Sequence, residues 1–335
     1  MGRAAFIYDD VLSRHELRSD HPMRPVRLRY TYELLQEYSA FDHPDAVLHD
    51  PRMATDQELL WLHTTEYVAA VKALGSDATD NIDAARFGFS TQGDNPVYPN
   101  MFEAAALSTG ASLVAAEMVS NKTVDAAFNI SGGLHHAGAN QASGFCVFND
   151  PALAVHYFLS QGHRVAYVDI DAHHGDGVQE AFYNDERVLT ISIHESGQWL
   201  FPGTGSVAEI GEGSGRGFSV NLPLYPYTID DDYVEAFAQV VPPLVAAFAP
   251  DILVTQLGID SYHNDPLTHL QVTTEGYIET VRQLAGLGLP WLALGGGGYD
   301  LSAVARAWTL VYGVMLGAEW PDQLPIAFSK KHRVS

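Results

Sequence analysis

The segment VAYVDIDAHHGDG, from Val165 to Gly177, joins an apolar run to three aspartates and two adjacent histidines. The run Val165–Ile170 is short and almost entirely apolar, which predicts a strand buried on both faces of a parallel sheet. In open sheets of this kind, ligands bind beyond the carboxyl ends of the strands. The segment therefore predicts an α/β fold and places a functional site at the end of this strand.

Further apolar runs alternate with helical patterns along the chain. Strands are predicted at Ala126–Ile130, Val188–Ile193, Ile252–Leu257 and Trp291–Leu294. Helices are predicted from Asn100, where Glu103 completes a capping-box pattern, from Asp150-Pro151, and over Asp230–Phe248, Thr273–Leu287 and Leu301–Leu316. This alternation indicates a mostly parallel sheet covered on both sides, and we expect a single domain over residues 1–335.

The composition argues against a nucleic-acid-binding, membrane-binding or disulfide-bonded protein. The 335 residues are 47% hydrophobic and carry 41 acidic and 18 basic side chains, a net charge of −23. Such a field repels nucleic acid and anionic membranes, and it would attract a cationic ligand to an acidic cleft. The one cysteine, Cys146, excludes an intramolecular disulfide, and the first residues do not resemble a secretory signal. We expect a cytoplasmic protein with no nucleic-acid or membrane partner.

A candidate metal site begins with Asp171 and His173. They are two residues apart, so in an extended chain their side chains point the same way. A carboxylate oxygen and an imidazole nitrogen on one side suit a divalent metal such as zinc. The best candidate for a third ligand is Asp260, which also follows a predicted strand. Each aspartate alone is explained equally well as a turn or cap residue, but the three together are not.

Two adjacent histidines, His135 and His136, follow the predicted strand Ala126–Ile130 and lie at the same edge of the sheet. They suit either metal binding or acid–base chemistry. Asp169 and Asp176 remain once the metal has its ligands. Each could accept a hydrogen bond from one histidine, which would fix its tautomer and raise its basicity.

Four glycines, in the segment LGGGGYD from Leu294 to Asp300, lie between a predicted strand and a predicted helix. They allow the backbone to approach a ligand or another strand closely. The segment lacks the Lys-Ser/Thr pair of a phosphate-binding loop, and its spacing does not fit a dinucleotide fingerprint. Tyr299, at the end of the run, could donate its hydroxyl to a developing oxyanion.

Taken together, these segments resemble the histone deacetylase family of zinc-dependent amidohydrolases. The resemblance extends from about Tyr8 to Leu316, and GIDSYHNDPLTHLQVT (258–273) is most similar to the bacterial acetoin-utilisation deacetylases. The other segments that carry it, in the family's order, are HPMRPVRLRYTYELL (21–35), QGDNPVYPNMFEAAALSTGAS (92–112), SGGLHHAGANQASGFCVFND (131–150), VDIDAHHGDGVQEAFY (168–183), FPGTG (201–205) and LGGGGYDLSAVARAWT (294–309).

The resemblance implies an arginase/deacetylase fold, with a central parallel sheet of eight strands flanked by helices. It implies zinc at Asp171, His173 and Asp260, and a potassium ion at Asp169, Asp171 and Ser192. A set of two aspartates and one histidine accepts ferrous iron as well as zinc. It implies that His135 and His136 are the catalytic pair, supported by Asp169 and Asp176 respectively, and that Tyr299 polarises the substrate carbonyl. The remaining implied positions are Gly144, Phe145 and Phe201 along a substrate tunnel, Asp94 at its rim, and Arg27 in an internal channel for acetate.

The expected activity is removal of the acetyl group from N-acetyl-lysine side chains of proteins. We assign His136 as the base that takes the proton of water and His135 as a protonated stabiliser; the group that protonates the leaving amine stays open. The alternatives are an acetylpolyamine amidohydrolase, a non-catalytic acyl-lysine binder and an arginase-like dimetal hydrolase. The likeness to acetoin-utilisation deacetylases implies an acetylated metabolic enzyme as substrate, such as acetyl-CoA synthetase.

Overall fold

A computed structural model describes residues 2–14, 16–76 and 82–332. Within them, eight strands form one sheet in which every neighbouring pair is parallel. The strands are β1 (Ala4–Ile7), β2 (Ala46–His49), β3 (Ala126–Asn129), β4 (Val165–Asp169), β5 (Val188–Glu195), β6 (Ser219–Leu224), β7 (Ile252–Gln256) and β8 (Trp291–Leu294). Their spatial order is β2-β1-β3-β8-β7-β4-β5-β6, so the predicted eight-stranded parallel sheet is confirmed.

Helices cover both faces of this sheet. They are α1 (Val26–Glu37), α2 (Asp56–Leu59), α3 (Thr65–Leu74), α4 (Met101–Ser120), α5 (Asp150–Ser160), α6 (Asp176–Phe182), α7 (Asp230–Phe248), α8 (Thr274–Gly286), α9 (Leu301–Leu316) and α10 (Ile326–His332). Side chains of α1, α7, α8 and α9 form one buried cluster with the sheet, and those of α4, α5 and α6 form another.

The position of β4, covered on both faces, explains why its sequence is almost continuously apolar. Ala166 and Val168 belong to the first cluster, whereas Val165 and Tyr167 belong to the second. Because successive side chains of a strand point to opposite faces, a strand covered on both faces needs apolar residues at every position. This pattern made the five central strands predictable from the sequence.

The three strands that the sequence patterns did not predict are β1, β2 and β6. β2 and β6 are the edges of the sheet and are less buried, with Leu48 of β2 44% exposed. β6 also contains Pro223, which an edge strand tolerates because one side of it has no ladder to complete. The weaker apolar signal of β2 and β6 therefore follows from their position at the edges, whereas β1 is a fully buried strand of only four residues between β2 and β3.

Two predicted helix starts differ from the structure in the residue that caps them. Asn100 precedes α4 in a left-handed conformation with φ of 60°, and its side chain caps no backbone group, so the predicted capping box is wrong. α5 is capped by the side chain of Asn149, which accepts a hydrogen bond from Ala152 N, instead of by Asp150. Asp150 is fully buried one residue further on, which leaves its carboxylate available for a neighbouring loop.

One described helix, α4, is long and apolar enough to cross a membrane by length and composition. However, 72% of that apolar window is buried inside the protein. α4 packs against α5 and β3, and this core position accounts for its composition.

Candidate active site

The carboxyl ends of four adjacent strands bring the candidate residues together. β3, β8, β7 and β4 are neighbours in the sheet, in that order. The loop after β3 carries His135 and His136, and the loop after β4 carries Asp171 and His173. Asp260 follows β7, and the glycine run follows β8. Segments distant in sequence therefore meet at one edge, as expected for ligand sites in open parallel sheets.

Asp171, His173 and Asp260 form a buried group whose ligand atoms all lie within 4.8 Å of one another. His173 Nδ1 lies 3.1 Å from Asp171 Oδ1 and 2.9 Å from Asp260 Oδ2. Two carboxylates that face one imidazole nitrogen in a dry interior are costly unless a cation neutralises them. The donor set fits a divalent ion, and both zinc and ferrous iron accept aspartate and histidine ligands.

The pKa values of this group show the same need for positive charge. Burial, followed by the charge of Asp171, raises the pKa of Asp260 to about 7. Burial by itself would lower the pKa of His173, but its hydrogen bonds to Asp171 and Asp260 raise it well above its usual value. Both shifts favour positive charge between the two carboxylates, which is what a divalent metal ion would supply.

Neighbouring groups fix the two carboxylates. Gln256 Nε2 and Gly297 N donate to Asp171 Oδ2 at 2.6 and 2.7 Å, and Ala172 N donates to Asp260 Oδ1 at 2.7 Å. These bonds leave Asp171 Oδ1 and Asp260 Oδ2 facing His173. Gln256 was not among the residues predicted from sequence, although an amide at the end of a buried apolar strand was the available signal.

The two histidines each have their own carboxylate partner. His135 Nδ1 lies 2.7 Å from Asp169 Oδ2, and His136 Nδ1 lies 2.7 Å from Asp176 Oδ1. The Nε2 atoms of the two rings are 3.0 Å apart, so they face the same space. A hydrogen bond between them requires one Nε2 to donate and the other to accept. Tyr167 additionally donates to Asp169 Oδ2 at 2.6 Å.

Electrostatics distinguish the two histidines. Although burial lowers the pKa of His135, the charges of Asp169 and Asp171 raise it to about 9. Burial, followed by the charge of His135, lowers the pKa of His136 to about 4. Near neutral pH, His135 is therefore protonated and His136 is neutral. Its Nδ1 then donates to Asp176, and its Nε2 carries the lone pair that faces the Nε2–H of His135.

A narrow cavity of about 210 Å³ leads from the surface to these groups. The Phe201 ring lies 5.0 Å from that of His136, and the Phe145 ring lies 5.8 Å from that of Tyr299. The cavity is lined by Asp94, His136, Gly144, Phe145, His173, Leu200, Phe201, Leu267 and Tyr299. The four residues predicted for the tunnel and its rim all line this cavity, and their contact with substrate stays a prediction; Leu200 and Leu267 also line it and were not predicted.

Close packing around the tunnel requires glycine at position 144. Gly144 has φ of +48°, and a Cβ there would lie 2.3 Å from Cδ2 of the His136 ring. Across the tunnel, the backbone N–H of Tyr299 donates to Asp265 Oδ2 at 2.8 Å. Burial raises the pKa of Tyr299 well above its usual value, so its hydroxyl keeps its proton. Asp265 was also missed, because nothing in the local sequence connects it with Tyr299.

Arg27 lies in a second cavity of about 90 Å³, and Phe145 lines this cavity as well as the tunnel. Arg27 is buried, donates to the carbonyl of Gly298 at 2.9 Å and lies over the ring of Trp308 at 5.1 Å. Arg27 therefore binds the residue that precedes Tyr299. Its role in an acetate channel stays a prediction.

The residues predicted for a potassium ion are also neighbours. Asp169 of β4 pairs with Ser192 of β5, and Asp169 Oδ1 accepts a hydrogen bond from Asp171 N at 3.2 Å. The hydroxyl of Ser192 lies 2.8 Å from Nδ1 of the buried His194. The ion itself stays a prediction.

Comparison with known proteins supplies independent findings. The family model described as "Histone deacetylase domain" matches residues 21–315. The chain is 41% identical over 332 residues to the acetoin utilization protein AcuC of Bacillus subtilis, covering 97% of this chain and 85% of that protein. It is 37% identical over 323 residues to histone deacetylase 1 of Homo sapiens, covering 96% of this chain and 66% of that protein.

Solved structures agree with these sequence matches. The crystal structure of a histone deacetylase homologue from Aquifex aeolicus matches with a TM-score of 0.91 and 31% identity, over 98% of this chain and 88% of that one. The complex of such a homologue with SAHA matches with a TM-score of 0.90 and 31% identity, over 99% of this chain and 88% of that one.

Proposed function

The chain belongs to the histone deacetylase family of amidohydrolases, and from this premise we propose that it removes acetyl groups from N-acetyl-lysine side chains of proteins. One observation supports the proposal: two Asp–His pairs lie beside a buried group of three residues that could hold a metal ion, and His136 and His173 of these groups line the cavity. That combination serves hydrolysis of a substrate with a long, thin side chain.

The metal site defines where the reaction takes place. A divalent ion held by Asp171, His173 and Asp260 would polarise the amide carbonyl and lower the pKa of a water molecule. We propose zinc, with ferrous iron as the alternative, and potassium near Asp169 and Ser192 as a structural or modulating ion. All further steps fall to side chains of the protein.

The histidines divide acid–base work between them. The neutral His136 accepts the proton of the attacking water at Nε2, and Asp176 stabilises the imidazolium that results. The protonated His135, paired with Asp169, stabilises the negative charge that develops next to it. Their adjacent Nε2 atoms make either histidine available to protonate the leaving amine.

Tyr299 and the tunnel complete the proposed mechanism. The protonated hydroxyl of Tyr299 donates to the oxyanion, and the Phe145 and Phe201 rings flank the lysine stem. Each methylene removed from water contributes about 0.8 kcal/mol, so the four methylenes of lysine contribute about 3 kcal/mol. Asp94, which lines the same cavity, would accept hydrogen bonds from backbone amides of the substrate.

The proposed substrate is an acetylated metabolic enzyme, such as acetyl-CoA synthetase, because the likeness to an acetoin utilization protein favours metabolism. We propose that the protein acts in the cytoplasm. An acetylpolyamine is the second candidate, and the net charge of −23 favours it because polyamines are cationic.

The test compares acetyl-lysine peptides with N-acetylspermidine, before and after chelation and with zinc or ferrous iron restored. We expect metal-dependent turnover of the peptides and a loss of about 100- to 1000-fold in kcat for Tyr299→Phe with unchanged metal content. Tyr183→Phe, outside the tunnel lining, is the control. A parent-like rate for Tyr299→Phe would overturn its role, and preferential hydrolysis of acetylspermidine would overturn the protein substrate.

A further inference from the structure

Three large aromatic side chains lie exposed on the surface next to the tunnel. Trp199, Tyr225 and Tyr227 are 48%, 73% and 69% exposed. We call these three residues the aromatic rim. Single exposed aromatic residues are common, but a group of them indicates a binding surface, because tyrosine and tryptophan supply large contact areas at low entropic cost.

The rim is held in place by specific contacts. The rings of Trp199 and Tyr225 lie 5.5 Å apart, and the ring of Tyr227 lies 6.2 Å from that of His269. The backbone N–H of Tyr227 donates to the carbonyl of His269 at 2.9 Å. Tyr227 has φ of +69°, an unfavourable conformation for a bulky residue. The fold therefore presents this ring at a cost in backbone strain.

The rim is continuous with the tunnel wall. Trp199 precedes the lining residues Leu200 and Phe201, and His269 follows the lining residue Leu267 by two positions. The buried carboxylate of Glu195 ties these two segments together by accepting hydrogen bonds from the N–H and Nδ1 of His269, both at 2.8 Å. Two residues span at most about 7 Å, so the residues within two positions of a bound acetyl-lysine are the ones that could contact the rim.

The part of the chain that carries the rim is strongly acidic. Between Arg187 and Arg282 the chain contains twelve acidic residues and a single basic one, Arg216. Asp231 and Asp232 are exposed and follow Tyr227 within five residues. Aromatic faces in a negative field attract cations, through the ring quadrupole at short range and through the acidic charges at longer range.

We propose that the aromatic rim binds a lysine or arginine side chain that flanks the acetyl-lysine of a protein substrate. The proposal rests on the proposed function, because the tunnel must hold the acetyl-lysine. The rim makes the same contacts before and during the reaction, so it lowers KM and leaves kcat unchanged. The protein thereby selects acetylation sites in basic surroundings.

The test uses acetyl-lysine peptides of equal length that carry arginine, glutamine or glutamate at one of the two positions on either side. For the wild type we expect kcat/KM to be about fivefold higher with arginine than with glutamine at the best position, all of it in KM, and lower again with glutamate. The preference should weaken at high salt.

Variants of the aromatic rim test whether these residues cause the preference for arginine. In Trp199→Ala/Tyr225→Ala, and separately in Tyr227→Gly, which keeps the positive φ, the arginine-to-glutamine ratio should fall towards one. Trp61→Ala is the matched control, since Trp61 is 40% exposed and contacts Tyr157 away from the tunnel lining. This control should keep both the basal activity and the ratio.

The outcomes separate this proposal from the proposed function. Turnover without a preference for arginine, or an undiminished preference in the rim variants, overturns the rim proposal alone. If no peptide is turned over, the proposed function fails, and binding of the same labelled peptides to the wild type is compared by fluorescence anisotropy. Equal affinity for the arginine and glutamine peptides in that measurement overturns the rim proposal as well.

Discussion

At the scale of single residues, two identical side chains have different pKa values because they contact different partners. His135 and His136 are adjacent, yet Asp169 and Asp171 raise the pKa of His135 against the effect of burial, whereas burial and the charge of His135 lower that of His136. The proposed division into a stabiliser and a base thus follows from which carboxylates each ring faces.

His63 supports the same loop without touching the proposed substrate tunnel. Its Nδ1 donates to the carbonyl of Gly138 at 3.1 Å, and its Nε2 accepts from Asn149 N at 3.1 Å. Both partners belong to the segment that carries the histidine pair. Burial lowers the pKa of His63 from 6.5 to about 4, so the ring is neutral in the folded protein.

This gives a pH-dependence of stability. Between pH 6.5 and pH 4 the unfolded chain protonates His63 and the folded protein does not, so its contribution, complete above pH 6.5, is lost as the pH falls, by about 3 kcal/mol in all. We expect His63→Gln to be less stable than the wild type at pH 7 and the difference to shrink towards pH 4.5. Urea unfolding of both proteins at several pH values measures it, and a difference that does not change with pH would contradict the account.

At the scale of elements, the loop between β8 and α9 determines whether the metal site can form. A Cβ at Gly297 would lie 2.1 Å from Asp260 Oδ2 and 2.7 Å from Asp171 Oδ2. The glycine run thus serves close approach of the backbone to both carboxylates. The sequence indicated close approach, and the structure shows to which groups.

We expect Gly297→Ala to displace these carboxylates and to lose metal binding together with activity, because its Cβ would overlap their oxygens. Metal content after dialysis and turnover of an acetyl-lysine peptide measure both. Gly286→Ala in α8 is the control, since a Cβ there meets nothing within 4 Å and alanine favours a helix by up to about 1 kcal/mol. Full metal occupancy in Gly297→Ala would show that the loop can move aside.

The loop after β3 explains why Asp150 does not cap α5, as its sequence position predicted. Asp150 resembles a helix cap by its place before Pro151. Instead its carboxylate accepts hydrogen bonds from the backbone N–H groups of Gly133 and Leu134, at 3.0 and 2.9 Å. A helix-capping pattern specifies only local donors, and a donor from another loop can replace them.

At the scale of the whole molecule, one sheet contributes to both large hydrophobic clusters. Every strand except β6, which packs only on the first cluster, has side chains in both, so neither cluster can unfold without exposing the other. On this ground we propose that residues 1–335 form one domain.

We expect one cooperative thermal transition, with coincident midpoints by circular dichroism and by tryptophan fluorescence. Removal of the metal should lower Tm by several degrees, because an ion at a hundred times its Kd stabilises the folded state by about 2.7 kcal/mol. Chelated and reloaded samples of the wild type supply the comparison. Separate midpoints for the two probes would contradict the single domain, and a Tm insensitive to chelation would contradict a resident ion.

The sequence by itself determined the fold class, the five buried strands and the residue types at their ends. Continuous apolar runs and clustered titratable groups are local patterns, so they can be recognised without coordinates. Only the tertiary structure decided that Gln256 and Gly297 fix Asp171, that Asp265 binds the backbone of Tyr299, and that the aromatic rim adjoins the tunnel. These contacts join residues far apart in the chain, and strand order, which no local pattern encodes, brings them together.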